Sequence, residues 1–249
     1  VRGTVHRGYV DLNVGVVAQR RLDALRALVV SALVLEIDQL PAAAADVAAE
    51  FTCADDHDHA RLSIFAEACD VVTFEFENVP VGPLAQIKDQ APLYPPATAL
   101  DIAQNRVTEK NFARGHGGTT APFAEVTDRP SLDSAIAQIG APAILKTIRM
   151  GYDGKGQSRI KPGDDLGAHW DAVGHQPCVA EGFVTFDHEF SVILVRGQDG
   201  EIRFWDTPHN IHDHGILALS SAPAPQDILN QQEAARALAA KMAHAMDYV

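Results

Sequence analysis

Residues 144–158 read I-L-K-T-I-R-M-G-Y-D-G-K-G-Q-S, and how this stretch is read decides the fold. An apolar, β-branched run carries Lys146, a turn holding Gly151, Asp153, Gly154 and Gly156 follows, and residues 158–161 are extended again. Glycines without a Cβ let backbone N–H groups turn inward, so such a loop can close over phosphate oxygens. Lys146 on its strand would present a held point charge to those oxygens and Lys155 a mobile one. The same residues also read as a plain hairpin with solvated lysines, because D-G is itself a strong hairpin signal. The stretch does not fit the pattern G-x-x-x-x-G-K-[ST]. Nor does a long helix follow it, as one would after a dinucleotide fingerprint.

Composition narrows the classes. The chain has 249 residues, 47% hydrophobic and 21% charged, which suits one large globular domain or two small ones with a substantial core. A net charge of −13 excludes a sequence-independent nucleic-acid binder, which needs a basic surface. Cys53, Cys69 and Cys178 are odd in number and widely spaced, the pattern of reduced thiols in a cytoplasmic protein. No uninterrupted apolar run approaches the ~18 residues of a membrane span, and the first twenty residues lack the apolar core of a secretion signal. The expectation is a cytoplasmic protein without membrane or nucleic-acid partners.

Outward from the central stretch, the two halves differ in character. Residues 1–27 have no clean periodicity. Residues 28–37 read as a buried strand, 41–50 as an alanine-rich helix, 61–68 as a helix and 70–76 as a strand. This alternation suggests a parallel α/β unit. Glu75 and Glu77 lie two apart, so on a strand they share a face, at the carboxyl end where ligands of open α/β sheets sit. Two solvated carboxylates on an edge would look the same.

Residues 92–96 read as a connection, which puts a boundary near 96–105, and helix-forming sequence with Arg106, Glu109 and Lys110 fills 97–115. Beyond it, 123–126, a helix at 131–139 and a strand at 143–148 lead into the Gly-rich stretch. Strands at 177–183, 189–196 and 201–205, with a hairpin at Asp199-Gly200, imply an antiparallel sheet, and 227–246 reads as one long helix. Glu181 closes one of these strands and Glu189 opens the next. In such a segment backbone groups can bind an adenine edge while a carboxylate accepts ribose hydroxyls.

Two clusters invite a metal. Asp55, Asp56, His57, Asp58 and His59 are adjacent on a loop and point in different directions. His209, His212 and His214 sit between Pro208 and Gly215, which reads as a loop, and lack the helical i, i+4 spacing of a zinc pair. The expectation is no metal ligand at either.

Several blocks resemble one family in the right order. They are D-V-V-T-F-E-F-E-N-V-P (70–80), N-R-V-T-E-K (105–110), L-K-T-I-R-M-G-Y-D-G-K-G-Q (145–157), E-G-F-V-T-F-D-H-E-F-S-V (181–192) and H-N-I-H-D-H-G-I-L (209–217). They look like the 5-(carboxyamino)imidazole ribonucleotide synthetases of the ATP-grasp superfamily, over roughly residues 60–249. The resemblance implies an α/β architecture: a Rossmann-like preATP-grasp domain over 1–100, atypical in 1–27, and an ATP-grasp domain over 101–249. It also implies ATP-dependent carboxylation of 5-aminoimidazole ribonucleotide with bicarbonate in purine synthesis, through carboxyphosphate.

Carried over position by position, Arg106 and Lys146 would contact ATP phosphates, under a lid of Met150, Gly151, Tyr152, Asp153, Gly154, Lys155 and Gly156. Glu181, Gly182, Phe183 and Val184 would form the adenine hinge, Glu189 would hold the ribose, and His212 would lie at the nucleotide. Lys146, Tyr152, Asp153 and Lys155 would serve the reaction, with Tyr152 and Asp153 facing bicarbonate and the imidazole, and Glu75 and Glu77 would line the ribonucleotide pocket.

The chemistry suits these residue types, since phosphoryl transfer asks for positive charge and a closing lid rather than a nucleophilic side chain. The family's glycine-rich opening turn has no counterpart in residues 1–27, and its magnesium-holding glutamates are expected beyond Val249, so the C-terminal part of the family fold is expected to be missing. Asn105 stands where the family usually has aspartate. A homodimer is the expected assembly. Another ATP-grasp ligase, such as a formate-dependent glycinamide ribonucleotide transformylase, and an ATP-binding module without turnover are the alternatives.

Overall fold

A computed structural model describes residues 2–4, 32–35, 51–54, 58–74, 78–149, 156–213 and 216–249. The chain divides into two compact units, one of residues 14–101 with 246–249 and the other of residues 1–13 with 102–245. The first strand, β1 (Arg2–Thr4), belongs to the larger unit.

In the smaller unit β2 (Ala32–Leu35) pairs in parallel with β3 (Phe51–Ala54). Asp58 accepts from the backbone N–H of Arg61 at 3.1 Å and so starts helix α1 (His59–Glu67). One member of the acidic-histidine cluster is therefore a helix cap; Asp55, Asp56 and His57 lie outside the described residues, as does the helix expected at 41–50. Leu62, Phe65 and Ala66 of α1 pack with Leu84 and Ile87 of α2 (Val81–Ile87) and with Val72, Phe74 and Leu93. Over its described part, the strand expected at 70–76 makes a parallel bridge between Val72 and Leu93. Val72 and Phe74 are buried on alternate positions, as a strand with one face in the core requires.

The helix-forming sequence of 97–115 makes two helices, α3 (Ala97–Gln104) and α4 (Arg106–Gly115). The break is Asn105, whose extended backbone (φ −116, ψ 111) ends one helix while its side chain accepts from the N–H groups of Val107 at 2.9 Å and Thr108 at 3.2 Å. Asparagine and aspartate cap equally well, which is why this departure from the family is small.

In the larger unit, β4 (Phe123–Val126), α5 (Arg129–Ile139), β5 (Ala143–Thr147), β6 (Gln157–Ile160), α6 (Leu166–Ala172) and β7 (Cys178–Gly182) follow. The four strands form an antiparallel sheet in the order β4-β7-β5-β6. Leu132 and Ala135 of α5 and Trp170 of α6 cover one face, against Val126, Ala143, Leu145, Ile160, Cys178 and Ala180. Period-2 alternation then sends Phe123, Ile144, Lys146, Val179 and Glu181 to the opposite face. Gly156 (φ +66) closes the β5–β6 turn, where its carbonyl accepts from the Thr147 N–H at 2.8 Å. A Cβ there would stand 2.7 Å from the Thr147 hydroxyl, so only glycine fits.

Strand β8 (Glu189–Arg196) has β1 along one stretch in antiparallel register, and residues 202–210 return along it. That return is β9 (Ile202–Phe204), a bond from the Trp205 N–H to the Ile193 carbonyl, and then β10 (His209–Asp213). Pro208 and Gly215 suggest a loop for the histidine-rich segment; it is instead a strand, paired on its other side with β11 (Ile216–Ser221). The cause is tertiary. Asn210 is buried and donates to the Ser191 hydroxyl at 2.6 Å while accepting from that of Ser220 at 2.8 Å, which pins three strands together. The long helix expected at 227–246 is two, α7 (Gln226–Leu229) and α8 (Gln232–Ala245), with Ile228 and Ala235 packed on Phe190 and Val192 of β8. No helix among the described residues is long and apolar enough to cross a membrane.

The cap at Asn105 yields a direct expectation. Replacing Asn105 with Ala should cost about 1 kcal/mol in urea unfolding, whereas Asn105→Asp should lie within about 0.5 kcal/mol of the unaltered chain.

Candidate functional site

The sheet face turned away from α5 and α6 carries an ion cluster that the strand register builds. Ile144 stands opposite Glu181, and Lys146 opposite Val179, so Lys146 and Glu181 are diagonal neighbours on one face. The Lys146 ammonium donates to Glu181 Oε2 at 2.9 Å. On the next strand Phe123 stands opposite Glu181. From above it, α4 brings Lys110, whose Nζ lies 3.0 Å from Glu181 Oε1 and 5.8 Å from the centre of the Phe123 ring. That second contact is close enough for full charge attraction, but its angle gives Oε1 no directed hydrogen bond.

Burial raises the proton affinity of the Glu181 carboxyl, the largest single influence on it. The charges of Lys146 and Lys110, reinforced by hydrogen bonding to the carboxylate, outweigh that influence and hold it below its ordinary value of 4.5. Side-chain exposure is 9% for Glu181, 14% for Lys110 and 26% for Lys146, so one carboxylate and two ammoniums make a largely desolvated group of net positive charge.

Arg106 sits four residues before Lys110 on α4, hence on the same helix face, and its N–H donates to the Ile148 carbonyl at 3.1 Å, just past the end of β5. A positive helix face thus approaches the end of the strand that bears Lys146. Gly182 and Phe183 tie the end of β7 to the neighbouring loops, through bonds to the Pro122 and Pro142 carbonyls at 2.8 and 3.0 Å. Phe183 is 42% exposed, with the Arg159 guanidinium 5.1 Å from its ring centre. Val184 follows on the connection to β8.

Glu189 and His212 form a second pair: His212 Nδ1 lies 3.0 Å from Glu189 Oε2. Register with β11 shifts between Ile211 and His212, the kind of irregularity that re-aims a side chain. Among the described residues no group of three or more His, Cys, Asp or Glu side chains converges as metal ligands do.

Of the candidate residues, Lys146 and Glu181 meet directly, Glu189 and His212 meet each other, Arg106 is bonded through its backbone N–H just past the end of β5, and Gly156 closes the β5–β6 turn. Met150, Gly151, Tyr152, Asp153, Gly154 and Lys155, with Glu75 and Glu77, lie outside the described residues. Sequence reading named Lys110 only as a helical residue. The R-x-x-x-K spacing was visible, but the partner that gives it meaning is seventy-one positions away.

The ATP-grasp domain family matches residues 111–249, and the ribonucleotide synthetase preATP-grasp domain family matches residues 14–104. N5-carboxyaminoimidazole ribonucleotide synthase of Brucella melitensis is 43% identical over 194 residues, which cover 77% of this chain and 53% of that protein. The crystal structure of N5-carboxyaminoimidazole ribonucleotide synthetase from Thermus thermophilus superposes with a TM-score of 0.75 at 40% identity, covering 83% of this chain and 55% of that one. The Aspergillus clavatus N5-carboxyaminoimidazole synthase in complex with ADP and 5-aminoimidazole ribonucleotide superposes with a TM-score of 0.72 at 26% identity, covering 81% and 53%. The chain spans about half the length of these relatives.

The charge cluster predicts an acid limb. Because folding depresses the Glu181 carboxyl, its contribution to stability is present above pH 4.5 and disappears as pH falls through the depressed value. Glu181→Gln leaves two ammoniums without a counter-charge and should lower stability near neutral pH by about 3 kcal/mol. Thermal unfolding midpoints of the two proteins, recorded from neutral pH downward, should converge below pH 4.5. Parallel curves over that range would mean that Glu181 is not charged in the folded chain.

Proposed function

Since this chain belongs to the ATP-grasp family, we propose that it binds ATP on the Lys146–Glu181 sheet face and uses it to carboxylate 5-aminoimidazole ribonucleotide with bicarbonate. The observation that carries the reading is the desolvated, net-positive cluster of Lys110, Glu181 and Lys146, whose two strand members, Lys146 and Glu181, lie within the ATP-grasp match at residues 111–249. A triphosphate tail is attracted by such a group, and one further cation lies nearby on the same helix face, at Arg106. The ribonucleotide reading is supported by the relatives named above, one of which holds ADP and 5-aminoimidazole ribonucleotide.

In the proposed reaction a bicarbonate oxygen attacks the γ-phosphorus, and the bond from that phosphorus to the β,γ-bridging oxygen breaks. ADP and carboxyphosphate result. The exocyclic amine of the ribonucleotide then attacks the carboxyl carbon, phosphate leaves, and the amine loses a proton. The protein contributes charge and position rather than a covalent intermediate.

Arg106 and Lys146 hold the phosphates in this scheme, with Lys155 and the rest of residues 150–156 closing over them. Glu181, Gly182, Phe183 and Val184 border the adenine, and Glu189, oriented by His212, accepts the ribose hydroxyls. Tyr152 and Asp153 serve bicarbonate and the imidazole, and Glu75 and Glu77 the ribonucleotide. Magnesium would shield the phosphate charge when ATP arrives as its magnesium complex. A homodimer in the cytoplasm completes the proposal, a location supported by free thiols at Cys69 and Cys178.

Isothermal titration of the 249-residue chain with MgATP, with and without the ribonucleotide, tests the reading. Lys146→Ala should weaken ATP binding about tenfold to a hundredfold, the effect of losing one charged hydrogen bond to a phosphate. Unchanged ATP affinity in that variant would count against the site. ATP consumption that depends on formate rather than bicarbonate would assign a different ligase, and ATP binding without any turnover would leave a binding module.

A further inference from the structure

The cluster around Glu181 contains one more cation than a salt bridge needs. Glu181 is the centre of the group, hydrogen-bonded to Lys146 through Oε2 and ion-paired to Lys110 through Oε1. The two lysines are not equivalent. Lys146 comes from β5, in the same sheet as Glu181, makes a directed bond, and is the more exposed, at 26% against 14%. Lys110 comes from α4, packs over the Phe123 ring and makes a contact without hydrogen-bond geometry. Lys146 is thus the member poised to change partners, and Lys110 the member held in place.

We propose that Lys110 is a positioning residue of the nucleotide site: it keeps the buried Glu181 carboxylate neutralised when Lys146 exchanges Glu181 for a phosphate oxygen. The role rests on the reading that Lys146 binds the ATP phosphates.

With Lys146 as sole partner, the pair would be neutral, and its attraction for an incoming phosphate correspondingly weak. Withdrawing Lys146 would also strand a carboxylate that is only 9% exposed, and an unpaired buried charge strongly opposes the exchange. Lys110 removes both obstacles. The trio carries net positive charge before ATP arrives, and Glu181 retains a counter-ion 3.0 Å away after Lys146 has moved. Lys110 therefore acts through Glu181, without contact to the nucleotide. Its place on α4, one helical turn beyond Arg106, lets a single helix supply both the direct and the indirect cation.

The test is MgATP titration of the full chain in five forms: unaltered, Lys146→Ala, Lys110→Met, Lys110→Arg, and Lys110→Met combined with Glu181→Gln. Methionine keeps the stem over Phe123 and removes only the charge, and circular dichroism establishes that each form is folded. Lys110→Met should weaken ATP binding about tenfold, and Lys110→Arg should stay within about threefold of the unaltered chain. With inorganic tripolyphosphate as a second probe, which has no adenine for residue 181 to border, adding Glu181→Gln to Lys110→Met should recover most of the loss, because no carboxylate then holds Lys146 back.

Unaltered affinity in Lys110→Met would overturn the proposal while leaving the nucleotide site intact. A double variant that binds tripolyphosphate no tighter than Lys110→Met does would overturn it too, by showing that Lys110 touches the phosphates itself. Should Lys110→Met fail to fold, Lys110→Arg is read together with Lys110→Gln by the same criteria. Absence of ATP binding in the unaltered chain, or no effect of Lys146→Ala, would instead remove the underlying nucleotide reading and this role with it.

Discussion

A carboxylate sunk into a sheet face between two ammoniums is the interaction on which the rest of this site depends. Water cannot compensate Glu181 at 9% exposure, so the protein must supply the charges, and it does so from two elements far apart in the chain. Lys146 arrives by strand register and Lys110 by the packing of a helix. The strand order β4-β7-β5 is what places Phe123, Glu181 and Lys146 side by side on one face.

The sheet has two faces with opposite tasks, divided by alternation along each strand. Along β7, Cys178 and Ala180 enter the core under α5 and α6, while Val179 and Glu181 point the other way. The core face gives the rigidity that holds long, charged side chains in a fixed arrangement on the other. Burial pushes the Cys178 thiol up to about 11, so that cysteine serves as a small apolar residue of the core. Charge is thereby concentrated on one side of the sheet in a chain whose net charge is −13.

The pair Glu189–His212 repeats the principle on the second sheet with a different device. There the buried Asn210, bonded on both sides to serine hydroxyls, locks β8, β10 and β11 together, and an irregularity just beyond it turns His212 toward Glu189. Each pair is formed across strands, and each depends on a polar group whose bonds the tertiary structure completes.

Local chemistry was legible in the sequence wherever a short-range rule governed it. The β-branched run at 143–148, the D-G hairpin at 199–200, the helix at 131–139 and the change from parallel to antiparallel pairing could all be read from composition and spacing. So could the candidates Lys146, Glu181 and Glu189. Other features required the third dimension. Asn105 breaks a continuous helical pattern because its side chain caps the next helix, and residues 209–213 form a strand because Asn210 finds partners on both sides. Lys110 acquires a role because a folded sheet places Glu181 3.0 Å from it. A sequence by itself determines which side chains are available and how each segment prefers to turn; which charges are desolvated, and against what, depends on contacts between distant residues and was decided only when the sheet closed.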